Sequence, residues 1–136
     1  MLMPPVSPIM QTFAVAAGGA AGALMRYGIT LAAVAIPGGS AIWGTTVANV
    51  VGCGLMGLAI PLSVADPPPQ WAGPAMQLAV RVGLIGSLTT MSTFVAESFV
   101  MATTDPPAKW VVYVAANLIL GTLVFWASFG VGHRAF

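Results

Sequence analysis

Charge is what this sequence has least of. Four basic residues (Arg26, Arg81, Lys109, Arg134) and three acids (Asp66, Glu97, Asp105) make only 5% of a 136-residue chain charged. Soluble domains carry roughly a quarter, so this chain cannot clothe a water-facing surface. Its net charge of +1 excludes a basic nucleic-acid footprint. A single cysteine, Cys53, and a single histidine, His133, exclude an internal disulfide and a His/Cys metal cluster. Carboxylate pairs, a Ser/His/Asp set and a phosphate loop are missing too, so the expectation is a protein that is not an enzyme. The opening MLMPPVSPIM has no Lys or Arg and does not read as a cleaved leader. The first apolar segment is therefore expected to remain as a span.

What is abundant is apolar side chain, at 58% of the residues. The eleven prolines fall in four clusters, Pro4/Pro5/Pro8, Pro37, Pro61 to Pro74, and Pro106/Pro107. Between them lie apolar stretches at about residues 12–36, 42–62, 75–101 and 110–131. A bilayer core of about 30 Å needs about 20 helical residues, and backbone groups in hydrocarbon must be satisfied within the segment. The chain therefore reads as one four-helix, all-α membrane domain over residues 1–136, multi-pass in the cell membrane. Trp43, Trp71 and Trp110 fall at span ends, where amphipathic rings anchor.

The loop charges set no orientation. Arg81 and Arg134 lie toward one side and Lys109 toward the other, with Arg26 near the far end of the first span. Orientation follows Lys/Arg asymmetry in short loops, which is about nil here. Insertion both ways up and assembly into an antiparallel homodimer are the expectation. Small residues at close spacing (Gly18, Gly19, Gly22; Gly52, Cys53, Gly54, Gly57) allow close helix approach.

Polar residues inside spans are costly and mark candidate sites. Asn49 lies mid-span, with Thr45 one turn earlier on the same face. In the third span, five of the seven residues from Ser87 to Thr93 carry hydroxyls, and Glu97 follows. Back-bonding to the preceding turn satisfies one or two such residues but accounts poorly for five. A helix break is expected there, with Gly83 and Gly86 easing it. Irregular backbone at this depth must line a cavity or a protein interface. Tyr113, Asn117 and Gly121 recur every four residues in the fourth span. Neutral donors of this kind, with aromatic ring edges, suit a path for a small hydrated anion, which must be bound weakly enough to leave.

The pattern resembles the small fluoride channels of the Fluc type. Gly18-Gly-Ala-Ala-Gly-Ala-Leu-Met-Arg-Tyr27 is similar to the family's first-span signature, and Gly44-Thr-Thr-Val-Ala-Asn-Val-Val-Gly52 to its second. Gly86-Ser-Leu-Thr-Thr-Met-Ser-Thr-Phe-Val-Ala-Glu97 is similar to its broken third span, and Tyr113 and Gly121 fit the fourth. The resemblance implies an antiparallel, dual-topology homodimer with two pores that passively exports fluoride. It implies that Asn49 donates to the ion and Phe94 presents a ring edge, with Ser92, Thr93, Tyr113, Asn117 and Glu97 on the polar track. Thr45 would support the pore and Arg26 its vestibule. A structural Na+ would bind the backbone carbonyls of Gly86 and Thr89 at the dimer centre. Two positions depart from the family pattern: Met91 stands at a usual phenylalanine, and Asn117 at a frequent serine. Fluoride conduction is expected to survive the first.

Two other classes compete. A small proton-coupled multidrug exporter needs a membrane-embedded acid, normally in the first helix, and aromatic cage residues. Here the first span carries Arg26 and the acid, Glu97, lies in the third. An accessory subunit would use its polar residues only as helix glue, worth about 1 kcal/mol each.

Overall fold

The computed structural model describes residues 7–65, 67 and 69–135. Pro4, Pro5, Asp66, Pro68 and the reading of the first residues as uncleaved lie outside them. Among the described residues four helices are long and apolar enough to cross a membrane: α1 (Pro8–Ala35), α2 (Ala41–Val64), α3 (Pro74–Thr104) and α4 (Pro107–Ala135).

Proline starts three of them rather than bounding them from outside. Pro8, Pro74 and Pro107 occupy the first helical position, where a missing N–H costs nothing and the fixed φ is already helical. Ser7 caps α1 by accepting the Met10 N–H at 3.3 Å. Pro61, read from the sequence as a boundary, lies buried inside α2. Its ring crowds the carbonyl four residues earlier, which belongs to Gly57. Between α1 and α2, Gly38 takes φ of 77°, a left-handed turn that favours glycine.

The helices pair as α2 with α4 and α1 with the first half of α3, and the two pairs meet chiefly through α1 and α2. Close approach is what the glycines allow. A Cβ on Gly22 would fall on the Leu84 carbonyl, and one on Gly18 on the Ala79 carbonyl. On the other pair, a Cβ on Gly57 would fall on the Phe125 carbonyl. With little hydrophobic drive between helices in lipid, such backbone-to-backbone packing carries the association. The large apolar residues Phe13, Leu24, Phe99 and Trp126 face outward, as a lipid solvent permits.

The third helix is interrupted. Its first half runs through Pro74–Leu78, a π segment Ala79–Ile85 and a last turn Gly86–Leu88; its second half is Met91–Thr104. Thr89 (ψ 152°) and Thr90 (φ −147°, ψ 108°) between them are extended. Gly83 does not serve the break as the sequence suggested. It lies within the π segment against α1, where a Cβ would come 2.7 Å from the Val15 carbonyl oxygen. A second π segment, Ala116–Leu120, widens α4 around Asn117. Such bulges inside helices occur frequently at functional sites.

Candidate ion pathway

The break strips helical hydrogen bonds from a stretch of backbone, and buried groups must find other partners. Thr90 supplies one replacement as the cap of the second half. Its Oγ1 accepts the Thr93 N–H at 3.3 Å and donates to Thr93 Oγ1 at 2.9 Å. Ser92 Oγ lies 3.4 Å from the same hydroxyl. The hydroxyl-rich run is thus largely a helix cap.

Asn49, on α2, supplies the other replacement. Its Oδ1 accepts the Thr90 N–H at 2.8 Å, and its Nδ2 reaches the Thr90 carbonyl at 3.5 Å. In an unbroken helix the Thr90 N–H would go to Gly86, and the Thr93 N–H to Thr89. Both are diverted to side chains, so the Gly86 and Thr89 carbonyls lose those helical donors. Thr89 keeps its own N–H and hydroxyl on the Ile85 carbonyl, each at 3.1 Å.

From Asn49 the network continues into α4. Asn49 Nδ2 donates to Asn117 Oδ1 at 3.2 Å. Asn117 Nδ2 donates to Thr46 Oγ1 at 3.0 Å and to the Tyr113 carbonyl at 3.1 Å. Thr46 in turn donates to the Ile42 carbonyl at 3.2 Å. Three elements are therefore tied by one directed string of donors and acceptors.

A second cluster sits one turn away. Tyr113 donates to Glu97 Oε2 at 2.6 Å, and Thr45 donates to Glu97 Oε1 at 3.1 Å. The ring of Phe94 tilts against that of Tyr113, with centroids 5.5 Å apart at 45°. Tyr113, Phe94 and Met101 form one buried core cluster. Both oxygens of the half-buried acid are thus engaged, as a carboxyl within an apolar span requires.

Beside the network lies a cavity of about 370 Å3, lined by Asn49, Cys53, Thr89, Thr90, Met91, Phe94 and Asn117 with apolar neighbours. Among the described residues none that line it is charged. Met91, 68% exposed, stands at its edge, whereas Phe94 is nearly buried at 7%.

The structure draws Asn49, Ser92, Thr93, Phe94, Glu97, Tyr113, Asn117 and Thr45 into these two linked clusters. Arg26 sits half-buried on α1, apart from both, its carbonyl accepting from Thr30 at 3.0 Å. Sequence reasoning missed Thr46 and Thr90. Thr90 was legible as a threonine three residues ahead of a bonding partner at the start of an apolar run, the usual cap signal. Thr46 carried no such mark, because only the fold shows that its hydroxyl meets Asn117.

The family described as CrcB-like protein, Camphor Resistance (CrcB), matches residues 13–130. Among curated relatives, the protein named "Fluoride-specific ion channel FluC" of Rhodopirellula baltica is 37% identical over 136 residues, covering 88% of this chain and 92% of the relative. The protein of the same name in Acidobacterium capsulatum is 39% identical over 125 residues, covering 92% and 98%. "Fluoride-specific ion channel FluC 2" of Thermobifida fusca is 37% identical over 117 residues, covering 86% and 84%. Matched along nearly all of its membrane-spanning length, the chain belongs to the CrcB family.

Proposed function

We propose that this chain is a passive, fluoride-selective channel of the cell membrane, built as an antiparallel dual-topology homodimer with two pores. The observation that carries the reading is an uncharged, open and mostly apolar cavity that reaches the polar groups of Asn49, Thr90 and Asn117 beside Phe94, in a chain of four membrane-spanning helices. The relatives named fluoride-specific ion channels identify the ion that such a cavity would pass.

The chemistry is consistent with that ion. Fluoride holds its water strongly, and a fixed positive charge would replace the water but trap the ion. Neutral amide and hydroxyl donors with an aromatic edge bind less tightly, as conduction requires. Asn49 Nδ2 has one hydrogen on Asn117 at 3.2 Å and the other on the Thr90 carbonyl at 3.5 Å. The longer contact, at the limit of a hydrogen bond, is the one the amide would yield to a passing ion. Phe94 would offer its ring edge. Thr45, Ser92, Thr93, Tyr113, Asn117 and Glu97 complete or support the polar track, Met91 borders it, and Arg26 lies toward the vestibule.

A structural Na+ fits the donor set at the break. The Gly86 and Thr89 carbonyls are hard oxygen ligands released from their helical donors, as the diverted Thr90 and Thr93 N–H groups require. Two carbonyls make an incomplete shell, which a second, antiparallel copy would fill with the same pair. When bound, the ion would fix the two breaks against each other.

Reconstitution into liposomes with a fluoride-selective electrode tests the function. Fluoride efflux without chloride efflux is the expected result. Efflux that needs a proton gradient, or carriage of lipophilic cations, would replace the reading with the exporter, and no flux of any solute with an accessory role. Cells lacking the gene are expected to be more sensitive to millimolar fluoride.

A further inference from the structure

We infer that Asn117 is a positioning residue for Asn49, fixing the orientation of its amide so that one N–H is left to face the cavity. The inference rests on the channel reading for its functional consequence, but its geometry stands without it.

An asparagine side chain has two donors and one acceptor end, and a half-turn about its last bond exchanges them. The Thr90 N–H calls for the oxygen end of Asn49 at 2.8 Å, but the Thr90 carbonyl, at 3.5 Å, holds the nitrogen end only weakly. Asn117 supplies the firm partner at that end. Its own Nδ2 is committed to Thr46 Oγ1 at 3.0 Å and the Tyr113 carbonyl at 3.1 Å. Thr46 cannot present its hydrogen to Asn117, since it donates to the Ile42 carbonyl at 3.2 Å. Asn117 Oδ1 is therefore left as an acceptor facing α2, and only the nitrogen end of Asn49 can meet it. That bond, at 3.2 Å, turns Asn49 Oδ1 toward the Thr90 N–H at 2.8 Å. The second Nδ2 hydrogen then points along the weak 3.5 Å contact at the cavity wall.

The string has one direction throughout, from Asn49 through Asn117 and Thr46 to a backbone carbonyl. Asn117 is 8% exposed, and its amide is bonded at both ends to protein groups. Serine here would bond back to the Tyr113 carbonyl but is too short to hold Asn49 as well. An asparagine at this position therefore imposes an order on the break that a serine does not.

Hydrogen exchange at the Thr90 amide in lipid nanodiscs reads this directly, because that amide is held by Asn49 alone. In Asn117→Ser its protection is expected to fall by about fivefold or more, the worth of one net hydrogen bond. The Thr89 amide, bonded to the Ile85 carbonyl, is the control and should not move. Asn117→Asp, which when protonated keeps an acceptor for Asn49 and one donor, should hold Thr90 protection above that of the serine variant. Fluoride efflux should follow the order wild type, Asp, Ser. Packing alone would give the same flux order, since aspartate matches asparagine in size and serine leaves a void, so the deciding readout is the Thr90 amide against the Thr89 control. If Asn117→Ser does not assemble, Thr46→Val removes the acceptor that fixes Asn117, and a smaller fall at Thr90 is expected. Unchanged Thr90 protection in both Asn117→Ser and Thr46→Val overturns the inference. Absence of fluoride flux in the wild type, with the exchange pattern intact, would overturn the channel reading instead.

Discussion

Tyr113 on α4 and Glu97 on the second half of α3 share a 2.6 Å hydrogen bond, with the phenol as donor. They lie 16 positions apart in the chain, and the bond links the two spans that meet at the Thr104–Pro107 turn. Thr45 holds the other carboxyl oxygen at 3.1 Å, so α2, α3 and α4 converge on one acid.

Replacing Tyr113 with Phe removes that donor and leaves the ring contact with Phe94 in place. The half-buried carboxyl then lacks one partner, which costs about 0.5–1.5 kcal/mol. Lower thermal stability in detergent and slower fluoride efflux are the expected outcomes. Unfolding and efflux both equal to wild type would show that the bond contributes neither to the fold nor to the pathway.

Gly22 and Gly28 offer a paired test of the α1 contact. A Cβ at Gly22 would collide with the Leu84 carbonyl, whereas nothing lies within 4 Å of one at Gly28. Gly22→Ala should destabilise by about 1–3 kcal/mol, the usual cost of overpacking. Gly28→Ala should be neutral or gain about 0.5–1 kcal/mol from the helix backbone. Thermal unfolding of the two purified variants checks the contrast, and equal midpoints would refute it.

Thr90→Val deletes the cap of the second half of α3. Loss of the Thr90 Oγ1 acceptor for the Thr93 N–H should cost about 1 kcal/mol. Faster exchange at the Thr93 amide is expected, while the Thr90 amide, still on Asn49, stays protected. Loss at both amides would mean that the cap and the Asn49 bridge form a single unit.

Met91→Phe places a ring where the family resemblance implies a phenylalanine. Because Met91 is 68% exposed in the single chain, the swap should change monomer stability by less than about 0.5 kcal/mol. Fluoride flux is expected from both forms, with a different rate or selectivity in the variant. An inactive wild type rescued by the phenylalanine would show that the thioether cannot stand in for the ring.

How much of this was readable in advance follows from which interactions are local. Near-absence of charge and four long apolar runs dictate four spanning helices, because hydrocarbon leaves the backbone no other partner. The crowding of hydroxyls from Ser87 to Thr93 likewise announces the break, since such side chains bond nearby backbone groups at caps and turns in competition with the helix. The cost of polar groups inside a span marked Asn49 and Glu97, and the family resemblance added Phe94 by position. The sequence could not tell that Gly83 serves the α1 contact rather than the break. Nor could it tell that Pro61 would be carried inside a helix, or that Thr46 and Asn117 would meet. Each depends on which backbone comes within a few ångströms of which, and that is settled only when α1 closes on α3 and α4 on α2. Spacing along one helix places Asn49 and Thr45 on a common face. Only the packed bundle assigns one of them to the broken backbone and the other to the acid.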